Sequence, residues 1–274
     1  MFEQILERVR QHKPLVHCIT NYITTNDCAN IVLACGASPT MAEAEQETAE
    51  IASVAGALDI NIGNLNTMTV AAMHQAMEAA NQHDVPIILD PVGAGASSYR
   101  MATLRDFFAK YHFAVVRGNV SELLAVGGAA SNTKGVDAGA ADAVTEENLE
   151  ERVAFFNQLS AKLGAVVSVS GAIDIIASPE RAYLCRNGHP MMSCVTGTGC
   201  MLSALTAAYC GANHDAILEA AAAATAAMGV AGDIAYRKTM EAGQGTGSFR
   251  VHLMDAISLM DTDILNGGMN IEIR

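Results

Sequence analysis

Tryptophan is absent from this chain, and aromatic residues make up only 5% of it. Its core must therefore be built from Ala, Val, Ile, Leu and Met rather than from stacked rings. Charge is also scarce, at 16% of residues, and basic residues are the rarer kind, 16 Lys and Arg against 29 Asp and Glu. A net charge of -13 leaves few cations to displace the counterions of a nucleic acid or to meet an anionic bilayer. Neither nucleic acid nor a membrane is expected as a partner. No stretch of about 20 residues is both uncharged and strongly apolar, as a spanning helix requires. The nearest, Ala216 to Gly232, is Ala-rich, carries Glu219 and reads as a buried helix. The opening stretch MFEQILERVRQHKP is charged and amphipathic, without the apolar centre of a secretory signal. The seven cysteines form no CxxC pair and no zinc-type spacing. Reduced thiols in a cytoplasmic protein are expected, most of them acting as small buried hydrophobes. The GxxxxGK[ST] and GxGxxG nucleotide signatures are missing, as are HExxH and GxSxG. Any nucleotide must be held another way.

What remains is a 274-residue chain, 51% hydrophobic, with no internal repeat and no evident linker. One domain over residues 1–274 is expected. Short apolar runs at Leu15 to Ile19, Ala57 to Ile62, Pro86 to Val92, Ala114 to Arg117 and Ala165 to Val169 lack polar alternation. Such runs predict strands covered on both faces. Helical patterns lie between them, at Asn26 to Cys35, Glu47 to Val54, Thr67 to His83 and Glu146 to Leu163. The alternation predicts an α/β fold with a mostly parallel sheet between helical layers. Ala172 to Ser178 and Arg181 to Arg186 read as a hairpin at one edge. From Thr198 onward the chain reads as almost wholly helical, and Gly127 to Ala143 as a long loop or a frayed helix start.

Five segments carry the chemistry. Val195-Thr-Gly-Thr-Gly-Cys200 stands directly before the apolar run MLSALTAAY. Amides of Gly197, Thr198, Gly199 and Cys200 would open into a helix N-terminus and form an anion hole; a plain glycine loop capped by Thr198 is the alternative. A thiol in that first turn feels the helix dipole, which can lower its pKa and make Cys200 a base or a nucleophile. A buried structural cysteine is the competing reading. Ile87 to Gly95, IILDPVGAG, is a strand ending in Asp90 and a glycine turn, at the strand end where ligands of open α/β sheets bind. A magnesium ion would satisfy a buried Asp90, and a turn or helix cap would do so as well. Val115 to Glu122, VVRGNVSE, repeats the arrangement. Its Arg117 is a forked phosphate donor. Glu122 is either a water-mediated magnesium ligand or part of a helix start capped by Ser121. The segment from His17 to Asp27 sets several polar side chains at the end of the first strand, and Gly36 to Met41 reads as a turn carrying a flexible thioether. Met41 suits a heteroaromatic ligand, although methionine more often fills a core.

The stretches NYITTNDCAN, GASPTM, NIGNLN, ILDPVGAGA, RGNVSE, KGVDAG, VTGTGC and the GSF at Gly247 occur in this order from about residue 14 to residue 249. Together they resemble the hydroxyethylthiazole kinase family of the ribokinase-like superfamily. The resemblance implies a three-layer fold and transfer of phosphate from ATP to the primary hydroxyl of 4-methyl-5-(2-hydroxyethyl)thiazole in thiamine biosynthesis. It also implies Mg2+ as cofactor, and a homotrimer whose active sites lie between neighbouring subunits. Carried over by motif, Asn21, Met41 and Gly197 would bind the thiazole, while Arg117, Ser170, Thr198 and Gly199 would bind the nucleotide. Asp90 and Glu122 would serve the metal, and Cys200 would be the base. Ser170 stands where the family usually has Thr, and Ala172 where an acidic residue often follows. The adenine is expected among the C-terminal helices near Ala224 to Val230. The resemblance leaves a related small-alcohol kinase, such as one for hydroxymethylpyrimidine, and a non-catalytic nucleotide-binding trimer as alternatives.

Overall fold

The computed structural model describes residues 2–129 and 143–274. Nine strands form one sheet in the order β2-β1-β3-β4-β5-β6-β7-β8-β9. β1 (Leu15–Ile19), β2 (Ser38–Thr40), β3 (Ala57–Asn61), β4 (Ile87–Asp90), β5 (Val115–Asn119) and β6 (Val166–Ser170) are mutually parallel. β7 (Asp174–Ala177), β8 (Ala182–Cys185) and β9 (Ile271–Ile273) close the other edge in antiparallel fashion. Helices cover both faces, giving the three layers that the alternating pattern predicts. On one face lie α1 (Glu3–His12), α2 (Thr25–Ala34), α8 (Thr198–Gly211), α9 (Ile217–Glu241), α10 (Thr246–Leu259) and α11 (Thr262–Gly268). The opposite face carries α3 (Glu45–Val54), α4 (Thr67–Gln82), α5 (Ser98–Lys110), α6 (Val120–Gly127) and α7 (Leu149–Leu163).

Side chains alternate along each strand, and this sorts the two cores. Leu58, Ile60, Leu89, Val116 and Val167 enter the α4–α7 side, whereas Ala57, Ile88 and Val115 enter the α8–α9 side. The same parity sends Asn61, Asp90, Arg117 and Ser170 to the α8 side at the carboxyl ends of adjacent strands, with Asn61 opposite Asp90 in register. α9 is long and apolar enough to cross a membrane by composition, but most of its apolar stretch is buried inside this fold. Its small side chains admit a close neighbour: a Cβ added at Gly232 would stand 2.5 Å from the sulfur of Met192. That seat holds the 3-10 turn Pro190–Cys194, which leads straight into the glycine loop before α8.

Several expectations change. Gly36 to Met41 is not all turn, because Ser38–Thr40 pairs with β1 as the edge strand β2. The chain after Thr198 ends in β9 rather than in helix, its Ile271 facing Cys185. α5 and α11 carry little periodic signal in the sequence. The amphipathic α1 buries Ile5, Leu6 and Val9 against α8 and α9 of its own chain. The KGVDAG motif and most of the Gly127 to Ala143 stretch lie outside the described residues.

Candidate active site

A cavity of about 640 Å3 opens above the carboxyl ends of β4, β5 and β6, at the N-terminus of α8. Asn21, Asp90, Arg117, Glu122 and Ser170 line it from the strand side. Gly197, Thr198, Gly199 and Cys200 line it from the helix. Nine of the ten residues singled out by motif therefore share one space. Met41 does not line it; it is half-buried just beyond β2 and packs on the core beneath α8.

The helix start is built by glycine. Gly197 is the N-cap with φ of 88°, the left-handed region, and a Cβ there would fall 2.5 Å from Thr24 Cγ2. Thr198 is therefore not the cap; its hydroxyl donates to the Met192 carbonyl at 3.2 Å and ties the loop to the 3-10 turn. Gly199 admits the Arg117 guanidinium, since a Cβ there would sit 2.9 Å from Nη1. The first amides of α8 have no side-chain cap, which leaves them to bind an anion.

Asp90 is 1% exposed and is not left unpaired. Its Oδ2 accepts from Ser203 Oγ at 2.6 Å and from Asn61 Nδ2 at 2.9 Å, and Arg117 Nη1 stands 3.8 Å away. Burial pushes its carboxyl up, against the opposing pull of the Arg117 charge. Glu122 uses both oxygens: Oε2 accepts from the Asn119 amide in the capping box of α6, and Oε1 accepts from the Gly93 amide, at 2.8 Å each. Asn119, not Ser121, is the N-cap. Burial, with the Asp90 charge behind it, raises the Glu122 carboxyl to about 7. Two buried acids in one cavity, one raised further by the other's charge, suit a hard divalent cation, which would relieve both. Among the described residues no cluster of three or more His, Cys, Asp or Glu forms, so the remaining ligands would be water and phosphate oxygens.

Arg117 is 5% exposed and donates from Nη2 to Ser170 Oγ at 2.6 Å. A serine thus reaches the guanidinium without the extra methyl of threonine. Ala172 is exposed in the turn that follows, and the nearby acid is Asp174, which accepts from the Gly171 amide at 2.9 Å.

The thiol of Cys200 contradicts one expectation. Its pKa is raised, not lowered: burial first, then the Asp90 charge, pushes it up to about 11. Its sulfur accepts from Asn21 Nδ2 at 3.2 Å. Sequence reasoning missed Asn61 and Ser203, which hold Asp90. Asn61 opens the NIGNLN stretch, which by itself assigns it no role, and Ser203 lies inside α8, where only helix parity around Asp90 could have flagged it. The suggested adenine contacts near Ala224 to Val230 are nearly all sealed in the core, at 0–3% exposure for Ala224, Ala226, Ala227, Met228 and Val230. Only Val230 reaches a second cavity of about 700 Å3, beside Asp233, Arg237 and Asp263. That cavity has neither an open helix N-terminus nor a buried acid pair, so the chemistry points to the first.

The hydroxyethylthiazole kinase family matches residues 6–263. The hydroxyethylthiazole kinase of Clostridium acetobutylicum is 47% identical over 272 residues, 99% of each chain. The structure of a hydroxyethylthiazole kinase from Pyrococcus horikoshii OT3 has a TM-score of 0.86 at 34% identity, covering 100% of this chain and 98% of that one. A ribokinase-like superfamily protein from Enterococcus faecalis V583 shares the fold, with a TM-score of 0.58 at 11% identity over 94% of this chain and 96% of that one.

Proposed function

The chain belongs to the hydroxyethylthiazole kinase family, and from that premise we propose that the cavity above α8 is where it transfers phosphate from ATP to the hydroxyl of hydroxyethylthiazole. The observation that carries the assignment is the convergence, in one space, of an open helix N-terminus, a buried arginine and two buried acids. Phosphoryl transfer asks for positioning and charge stabilisation more than for covalent chemistry. The amides of Gly197 to Cys200 hold the transferring phosphate, with the positive end of α8 behind them. Arg117, fixed by Ser170, neutralises a second phosphate. Asn21 and Gly197 face the thiazole.

Asp90 and Glu122 hold a divalent cation, which we assign as Mg2+ on the hardness of two carboxylates; when bound it neutralises charge on the phosphate oxygens. Cys200 sits where a base would act, but a thiol pushed up to about 11 is almost wholly protonated at neutral pH. Its part is to shape the alcohol's seat rather than to take the proton early. A loose transition state tolerates this, because the nucleophile need not be fully deprotonated before the phosphoryl group moves. A slow enzyme follows.

Met41 stands outside its own subunit's cavity, and Ile23, which lines that cavity, is 61% exposed with Tyr22 beside it at 78%. Both features support a trimer in which a neighbouring subunit completes the site. All seven cysteines are free, which supports a cytoplasmic location. The test is ADP release by the purified protein with Mg-ATP, with and without hydroxyethylthiazole, beside a hydroxymethylpyrimidine control. Thiazole-dependent release is the expected result. Release driven only by the pyrimidine, or nucleotide binding without release, overturns it.

A further inference from the structure

Asn61 is the last residue of β3, is 1% exposed, and does not line the cavity. It nevertheless joins two residues that do. Its Nδ2 donates to Asp90 Oδ2 at 2.9 Å, and its Oδ1 accepts from Asn21 Nδ2 at 3.2 Å and from the Gly63 amide at 2.9 Å. We infer that Asn61 is a positioning residue that locks the thiazole-facing Asn21 against Cys200 and ties both to Asp90. The inference rests on the kinase reading above for its effect on turnover.

The geometry leaves the amides no freedom. An ionised carboxylate only accepts, so the nitrogen of Asn61 must face Asp90 and its oxygen must face away. The outward oxygen then meets two donors, and this fixes the Asn21 amide in turn. Asn21 Nδ2 spans Asn61 Oδ1 and Cys200 Sγ at 3.2 Å, while its Oδ1 accepts from the Thr24 amide at 3.2 Å. Flipping either amide would set like poles together at both of its ends and leave buried groups unpaired. The loop beyond β3 closes the arrangement: a Cβ at Gly63 would stand 2.9 Å from Asn21 Cβ, Asn21 Nδ2 and Asn61 Oδ1 alike. A buried amide that served the backbone alone would need only the Gly63 contact. Asn61 spends its remaining hydrogen bonds on the acid side and on the thiazole side of the cavity.

Two substitutions separate those halves. Asn61→Asp keeps acceptors toward Gly63 and Asn21 but loses the donor to Asp90 and adds a like charge there. Asn61→Leu, of similar size, loses both halves. For Leu the expected result is a thiazole KM raised about tenfold and a kcat lowered about a hundredfold, with the ATP KM within about twofold. For Asp the thiazole KM stays within about threefold while kcat falls about a hundredfold. Circular dichroism and the shift of Tm by ADP confirm that the variants fold; if Leu does not, Asn61→Ala takes its place. A thiazole KM that rises in Asp as much as in Leu, or that moves in neither, overturns the inference.

A readout independent of turnover is the rate at which iodoacetamide alkylates Cys200, followed on its peptide by mass spectrometry. Losing the Asn21 donor disfavours the thiolate, so alkylation slows about threefold or more in Asn61→Leu; the charge that Asn61→Asp adds beside Asp90 slows it as well, so Leu is the variant this readout uses. A rate in the Leu variant that is unchanged or raised refutes the link between Asn61 and Cys200, even when the thiazole is turned over. Slowed alkylation in a protein that does not phosphorylate the thiazole refutes the kinase reading and keeps the link.

Discussion

Replacing Cys200 by alanine, beside replacing Asp90 by alanine, asks whether base catalysis or charge placement limits this enzyme. With the Cys200 thiol pushed up to about 11, only about one molecule in 10,000 carries the thiolate at pH 7. General-base catalysis contributes about 10²–10⁴ when the base is poised near the working pH, and a thiolate this rare forfeits most of that. What Cys200→Ala removes is one hydrogen bond from Asn21 and some packing. At about 1 kcal/mol this is roughly a fivefold loss of kcat. Asp90→Ala is a larger change. It strips the acceptor from Ser203 and Asn61 and leaves Arg117, 3.8 Å away and 5% exposed, without its nearest counter-charge. Two hydrogen bonds to a charged group and an uncompensated buried guanidinium come to about 4 kcal/mol, or roughly a thousandfold. The assay is steady-state ADP release at saturating Mg-ATP and thiazole, with Asp90→Asn as an isosteric control and melting curves to exclude unfolding. Loss of turnover in Cys200→Ala equal to that in Asp90→Ala refutes the ranking and makes the thiol indispensable.

Three further outcomes are expected. Gly197→Ala places a methyl 2.5 Å from Thr24 Cγ2 at a left-handed φ of 88°, so it lowers kcat/KM by about a hundredfold or more; a variant within twofold of wild type shows that the helix start can re-form without glycine. Arg117→Lys loses the fork that binds Ser170, so the ATP KM rises about tenfold while the thiazole KM holds; steady-state kinetics with each substrate varied would show the opposite split if Arg117 served the alcohol instead. Glu122, raised by burial to about 7, favours folding while protonated, and this contribution is lost as pH rises from about 4.5 through 7. The metal-free protein should therefore lose up to about 3 kcal/mol across that window, Glu122→Gln should flatten the loss, and added Mg2+ should offset it; Tm measured against pH with and without the metal is the check.

The strands β1 and β3 to β6 are legible in the sequence because each is a short apolar run closed by turn residues, and a parallel strand buried on both faces leaves that signature. The hairpin of β7 and β8 is legible from Pro179-Glu180 between two apolar runs. β2 and β9 are not, since edge strands of three residues have too little pattern to distinguish them from turn or tail. The start of α6 shows how a local motif misleads. Ser121 is a fair cap by type, but Asn119 stands three residues before Glu122 and can close the reciprocal box, so Asn119 takes the position. Cys200 misleads in the same way: its place in the first turn is a sequence fact, whereas its burial beside Asp90 is not.

By itself, then, the order of residues determined the strand–helix alternation, the glycine start of α8 and the residue types that meet phosphate, because these depend on neighbours within a few positions. The tertiary structure alone decided the partners. Ser203 meets Asp90 across 113 residues and Asn21 meets Cys200 across 179, which only the packing of α8 onto the sheet can arrange. It also decided the acidities, because partial burial and the charge of Asp90 on a neighbouring strand push the Cys200 thiol up, and neither is visible from its place in the first helical turn.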